Sequence, residues 1–172
     1  DRFGEREPWV EIYNGEPGTV DLSGIYLTDV FTDLTRWAFP AGAAVTPGQS
    51  LLIWLDGEAG ESTANELHAS FRLPADTGSL ALDKDINGQP SVIDHLTYEL
   101  IPADRSYGLF PDGNPDQRRI LYFPTPGATN DDSPGPLTIF INEWMAANVG
   151  TLADPADGNF DDWFELYNPN ST

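Results

Sequence analysis

The sequence predicts an all-β fold, a sandwich or barrel, on three observations. Short runs rich in β-branched and aromatic residues dominate the 172-residue chain. They are separated at close intervals by Gly, Pro, Asn and Asp, and helical periodicity is almost nowhere sustained. One short signature also occurs twice: Pro8-Trp9-Val10-Glu11-Ile12-Tyr13-Asn14 returns as Asp162-Trp163-Phe164-Glu165-Leu166-Tyr167-Asn168. Trp, Glu, Tyr and Asn recur at identical spacing with apolar residues between them, which preserves both faces of a strand. The chain reads as one repeat plus the opening of the next.

Taken in order, strands are expected over residues 8–14, 24–28, 35–39, 50–55, 66–72, 78–83, 91–98, 105–110 and 119–123. In the first, alternation places Val10 and Ile12 on one face and Trp9, Glu11 and Tyr13 on the other. Thr46-Pro47-Gly48-Gln49 suits a turn with φ fixed at Pro and free at Gly. The run Leu51-Leu52-Ile53-Trp54-Leu55 is apolar throughout, as in a central strand covered on both faces. Residues 59–67 are polar and interrupted by Gly, so a loop with at most one helical turn is expected there. Asn87-Gly88 between alternating strands suits a tight hairpin. Pro124-Thr125-Pro126-Gly127-Ala128-Thr129-Asn130 stops regular structure, and residues 131–136 read as a linker. A strongly β-prone segment, Leu137 to Trp144, follows, and a loop of Gly, Asp, Asn and Pro leads to the second signature.

Eight basic residues against 28 acidic ones give a formal net charge of −20. Such a chain repels nucleic-acid phosphates and anionic lipid surfaces, and it concentrates cations near clustered carboxylates. The lack of cysteine removes disulfides and thiolate metal sites. No run approaches the ~18 apolar residues of a membrane helix, and no basic-then-apolar signal pattern opens the chain. Asp1 falls inside a repeat, so the chain is expected to begin downstream of any signal segment.

Trp9 to Asn14, Val20-Asp21-Leu22-Ser23-Gly24-Ile25-Tyr26-Leu27, Phe39-Pro40-Ala41-Gly42 and Pro47-Gly48 together resemble the lamin-tail domain, an immunoglobulin-like β-sandwich, in its bacterial tandem-repeat form. The resemblance continues through Leu51 to Trp54, Leu67-His68-Ala69-Ser70-Phe71, Ser106-Tyr107-Gly108 and the closing Thr125 to Asn130. It implies a sandwich over 1–130, a linker over 131–136, and the opening strands of a second repeat over 137–172. Domains of that family usually open with a strand like Ile141-Asn142-Glu143-Trp144-Met145-Ala146, which here stands after the domain. The first repeat thus lacks its usual first strand, and the C-terminal segment either starts a second repeat or completes the first, within the chain or by exchange between chains. The resemblance further implies a non-catalytic structural or interaction module of a bacterial exported or cell-surface multidomain protein, working by protein contact or spacing. A carbohydrate-binding accessory module, or a non-catalytic part of a secreted hydrolase or kinase-like protein, is the alternative.

Candidate chemistry is sparse. Asp83, Asp85, Asn87 and Asp94 copy the spacing of a calcium loop, but an Asn-Gly hairpin turn accounts for the same residues more simply. Asp154, Asp157, Asn159, Asp161 and Asp162 form a second acidic loop, read either as oxygen ligands for calcium or as a solvated turn. Glu11 and Glu165 belong to different repeats and make no catalytic pair. His68 and His95 lack a nucleophile or further ligands in a recognisable motif. Arg36-Trp37 and Arg105 to Tyr107 set cations beside aromatic rings, for a sugar or anionic end or for packing. Trp9, Trp37 and Trp54 are expected in packing. No phosphate loop, G-x-S-x-G elbow or HExxH occurs, and no catalytic residue is assigned.

Overall fold

The computed structural model describes residues 1–169 and divides the chain into two compact units, Asp1–Ser133 and Pro134–Thr172. The first unit is the immunoglobulin-like sandwich. One sheet has the order β1 (Trp9–Tyr13), β6 (Ser50–Trp54), β7 (Leu67–His68), with β1 antiparallel and β7 parallel to the middle strand. The other runs β4 (Trp37–Ala38), β3 (Ile25–Thr28), β8 (Thr77–Ile86), β9 (Gln89–Glu99), antiparallel throughout. Two short ladders accompany them, β2 (Val20–Asp21) with β5 (Ala44–Val45), and β10 (Ser106–Leu109) with β11 (Arg118–Leu121).

Alternation decides what the sheets enclose. Ile53 and Leu67 from one sheet meet Ile25, Leu27, Trp37 and Leu80 from the other, with Leu22, Phe39, Val45, Leu55 and Phe71 filling the ends. Burial of such side chains is worth roughly 1.5–3 kcal/mol each and is the main term holding the layers together. The core thins toward β1, whose inward Val10 and Ile12 stay half-buried although the ladder partner of Val10, Ile53, is wholly buried.

Local chemistry fixes several connections. Asn87 (φ 56°) and Gly88 (φ 78°) close the β8–β9 hairpin as a primed turn, and the Gly88 amide donates to Asp85 Oδ1 at 2.6 Å. The buried Asn14 ends β1 by donating to the carbonyls of Gly18 and Val45, at 2.8 and 2.7 Å, and by accepting the Glu16 amide. That side chain ties the β2–β5 ladder to β1 and accounts for two strands that the sequence does not announce. Residues 59–61 form a single 3₁₀ turn. The strand expected over 66–72 shortens to Leu67–His68, with isolated bonds from the amides of Ala69 and Leu73 carrying the pairing onward.

The second unit is an antiparallel pair, β12 (Phe140–Met145) and β13 (Trp163–Tyr167), with a register shift between Ile141 and Glu143. Its loop is organised by the buried Asn148, which donates to the carbonyls of Leu152 and Asp161 and accepts the amides of Thr151 and Leu152. The segment that the sequence offers as a completing strand is here paired with the second signature.

Candidate functional site

The four positions with calcium-loop spacing lie along the β8–β9 ribbon and do not converge. Asp85 is engaged by the Gly88 amide, both Asp94 oxygens accept from the single Nη2 of Arg118 at 2.9 and 3.1 Å, and Asn87 occupies the turn. Asp83 is wholly buried with both carboxylate oxygens unpartnered, and burial pushes its pKa up. Extended backbone holds these side chains at successive positions of a ladder, whereas a calcium loop must curl them around one centre.

In the second acidic loop, carboxylate oxygens of Asp154, Asp157 and Asp161 come within 4.8 Å of one another, all exposed. Loop amides already use two of them: Ala156 donates to Asp154 and Asn159 to Asp157. Asp162 accepts the Asn148 amide instead of joining the group. A further group, Asp1, Glu5 and Glu61, comes together at the start of the chain.

His68 is a buried anchor. Its Nδ1 lies 2.5 Å from Asp56 Oδ2, and Asp56 Oδ1 accepts the Glu58 amide. The Nε2 is without a hydrogen-bond partner and faces Glu66 Oε2 at 3.8 Å, while Glu66 is held by Arg2. Desolvation pushes the Glu66 pKa up, but the hydrogen bonds from the Arg2 guanidinium and amide, with the attraction of nearby positive charge, together lower it. The Ser62 hydroxyl bonds only the backbone of His68, so the group has the look of a triad without a nucleophile on the ring. His95 is exposed, edge-on to Phe31. Arg36 stacks over Phe71 and pairs with Asp29, while Trp37 packs on Phe39. Arg105 stacks 3.5 Å over Tyr122 and not on Tyr107. These cations are thus spent on packing.

What the first unit leaves unsatisfied is a strand edge. Asn14 donates its amide to the Gln49 carbonyl, and the Pro8 carbonyl accepts the Leu55 amide. The antiparallel alternation therefore turns the backbone of Val10 and Ile12 toward β6 and that of Trp9, Glu11 and Tyr13 away from it. β1 is the edge of its sheet, and no ladder lies on that outer side among the described residues. Its outward side chains are covered: the Gly127 amide donates to the Glu11 carboxylate, and Gly113 packs on the Tyr13 ring. Burial raises the Glu11 pKa against that hydrogen bond, with the nearby Asp112 adding to the rise.

The model of the Lamin Tail Domain family matches residues 2–99. The chain belongs to that family. No curated protein and no solved structure gives a further match. Lamin tail domains are non-enzymatic, immunoglobulin-like modules. The matched span of this one holds both main sheets, so the free edge of β1 belongs to the family domain itself. Ser106-Tyr107-Gly108 and Thr125 to Asn130 lie beyond it. There Asn130 donates to the Leu109 carbonyl at 2.8 Å and, through its backbone amide, to Asp112 Oδ1 at 3.1 Å.

The second signature, also beyond the matched span, shows what such a strand accepts on an edge. Register pairs Trp163 with Met145, Phe164 with Trp144, Glu165 with Glu143, Leu166 with Ile141 and Tyr167 with Phe140. Phe164 and Leu166 correspond to the inward Val10 and Ile12 of the lamin tail domain. In the hairpin the matching face of Ile141 (65% exposed), Trp144 (71%), Phe164 (65%) and Leu166 (55%) is open. Glu165 accepts from the bulged Asn142. No helix among the described residues is long and apolar enough to cross a membrane.

Proposed function

We propose that this chain is a non-catalytic interaction and spacing module of a bacterial exported or cell-surface multidomain protein, contacting other protein through its strand edges. The observation that carries the reading is the outer edge of β1, where the backbone groups of Trp9, Glu11 and Tyr13 lack a ladder beside half-buried core residues. Open edges of this kind recruit strands, and main-chain pairing supplies the affinity. The charge of −20 favours a protein partner over nucleic acid or an anionic membrane. The exposed loop of Asp154, Asp157 and Asp161, whose carboxylates converge as those of Asp83, Asp85 and Asp94 do not, is a secondary proposal as a weak calcium site.

Amide hydrogen exchange of the full chain tests the reading. The amides of Trp9, Glu11 and Tyr13 should exchange rapidly in dilute solution and gain protection when a synthetic peptide of residues 137–147 is added. Strong protection of these three in the dilute chain alone would mean that the edge is already occupied, and the reading fails. A carbohydrate-binding accessory module is the second reading, favoured by the exposed neighbours Trp144 and Phe164. The strand residues on that face, Ile141, Trp144, Phe164 and Leu166, are all apolar and offer no hydrogen bonds to sugar hydroxyls. A glycan array should therefore stay silent.

A further inference from the structure

We infer that the occupant of the β1 edge is the β12 strand of a second copy of this chain, in a register that can be written residue by residue. The inference rests on the edge-pairing reading above and names its partner. It follows from the chain carrying one strand signature twice and showing, at the second site, the strand that the signature binds.

β13 and β1 share Trp, Glu, Tyr and Asn at matching positions, and β13 is paired with β12. Carrying that ladder over to β1 sets Met145 against Trp9, Trp144 against Val10, Glu143 against Glu11, Ile141 against Ile12 and Phe140 against Tyr13. Sidedness agrees at every position. Trp144 and Ile141, open to solvent in the hairpin, fall beside the inward Val10 and Ile12 at the thin margin of the core. The bulged Asn142 absorbs the mismatch of two residues on β1 against three on β12, as it does against β13. β6 lies on the other edge of β1, so the arriving strand displaces nothing there.

The exchange is favoured by what each pairing buries. An isolated two-stranded hairpin is marginal in water, because its ladder encloses no core. The same ladder built on β1 lies over a sandwich, so the apolar face of β12 is covered while its main-chain bonds are conserved. Exchange of one identical element between protomers is a low-cost route to assembly.

The absence of cysteine makes the register directly readable. A Glu11→Cys chain is mixed with a Glu143→Cys chain and oxidised, so that every disulfide formed joins two molecules. Directly opposed strand positions lie within disulfide reach. Random collision gives heterodimer as about half of the cross-linked product, and paired strands should give mostly the 11–143 heterodimer, suppressed by excess peptide of residues 137–147. Unmodified chain should show a concentration-dependent dimer by light scattering. A statistical or absent heterodimer with a monomeric unmodified chain overturns the inference. If peptide still protects Trp9, Glu11 and Tyr13 in that case, edge pairing survives and only the second copy is removed; if it does not, both readings fall.

Discussion

Replacing Asp83 by valine should stabilise the first unit at neutral pH. Asp83 lies in β8 opposite Tyr26 of β3 and Val92 of β9, is wholly buried, and has no hydrogen-bond partner for either carboxylate oxygen. An unsatisfied buried polar group costs about 1–3 kcal/mol, and valine is of similar size and suited to a strand. At about 2–4 °C per kcal/mol for a chain of this length, the melting temperature should rise by roughly 2–12 °C at pH 7. The pH dependence follows from burial, which raises the carboxyl pKa above its ordinary 3.8. A raised folded-state pKa means that the contribution of Asp83 to stability is at its most favourable below pH 3.8 and is lost as pH climbs through the folded value. The advantage of Asp83→Val should thus be small at pH 3 and full at pH 7, read by circular dichroism melts at both. A variant less stable than the native chain at pH 7, or an advantage equal at the two pH values, refutes the reasoning. Parallel melts with chelator and with excess calcium separate a strained carboxylate from a ligand: only a ligand lets calcium raise the native melting temperature above that of Asp83→Val.

Gly78→Ala should destabilise the sandwich by about 1–3 kcal/mol in urea unfolding, a cost of overpacking. The new Cβ would lie 2.6 Å from Cζ of Tyr98, the residue directly opposite, whose hydroxyl is fixed on the Pro74 carbonyl at 2.6 Å; a midpoint unchanged from the native chain would show that the ring moves freely. Glu11→Gln should raise the urea midpoint at pH 7 and leave it unchanged below pH 4.5, because burial raises the Glu11 pKa and the native penalty grows as pH rises through it. An equal change at pH 3.5 and pH 7 would place its origin in packing rather than charge.

The fold was legible wherever a strand carries its own local signal. The apolar run 51–55 became the middle strand β6, flanked by β1 and β7, and Asn87-Gly88 became the primed turn of the longest ribbon. Two features escaped because their cause is tertiary. Val20–Asp21 and Ala44–Val45 are too short to show a period, and they pair where the Asn14 side chain pins the Val45 carbonyl. The buried Asp56–His68 pair joins residues twelve apart in sequence; the signal available was a carboxylate directly after the apolar run 51–55 and an imidazole directly after Leu67. Neither signal carries weight until β6 and β7 are known to be neighbours. Breaking that pair should be costly, since one partner left alone would keep a polar ring or a carboxylate in the core.

The functional reading was legible in frame but not in geometry. Repetition of Trp-x-Glu-x-Tyr-Asn announces two equivalent strands, yet nothing in the residues says which neighbour each strand has. Ladders supply that. The first copy is seen with the strand that follows it in the sandwich, β6, and the second with the strand that precedes it, β12. If the two copies are equivalent, each displays the half of the arrangement that the other lacks: β1 wants a β12-like strand on its outer edge, and β13 wants a β6-like strand on its free edge and a second sheet over the face of Phe164 and Leu166. Exposed apolar residues at the second copy and a thin core margin at the first are then the same deficit seen from two sides. Two copies of charge −20 repel one another, so closure should strengthen as salt screens them, while the groups brought together along the core face, Val10, Ile12, Ile141 and Trp144, carry no charge. The one like-charged pair, Glu11 with Glu143, repeats a pairing that the hairpin already tolerates at Glu143 and Glu165.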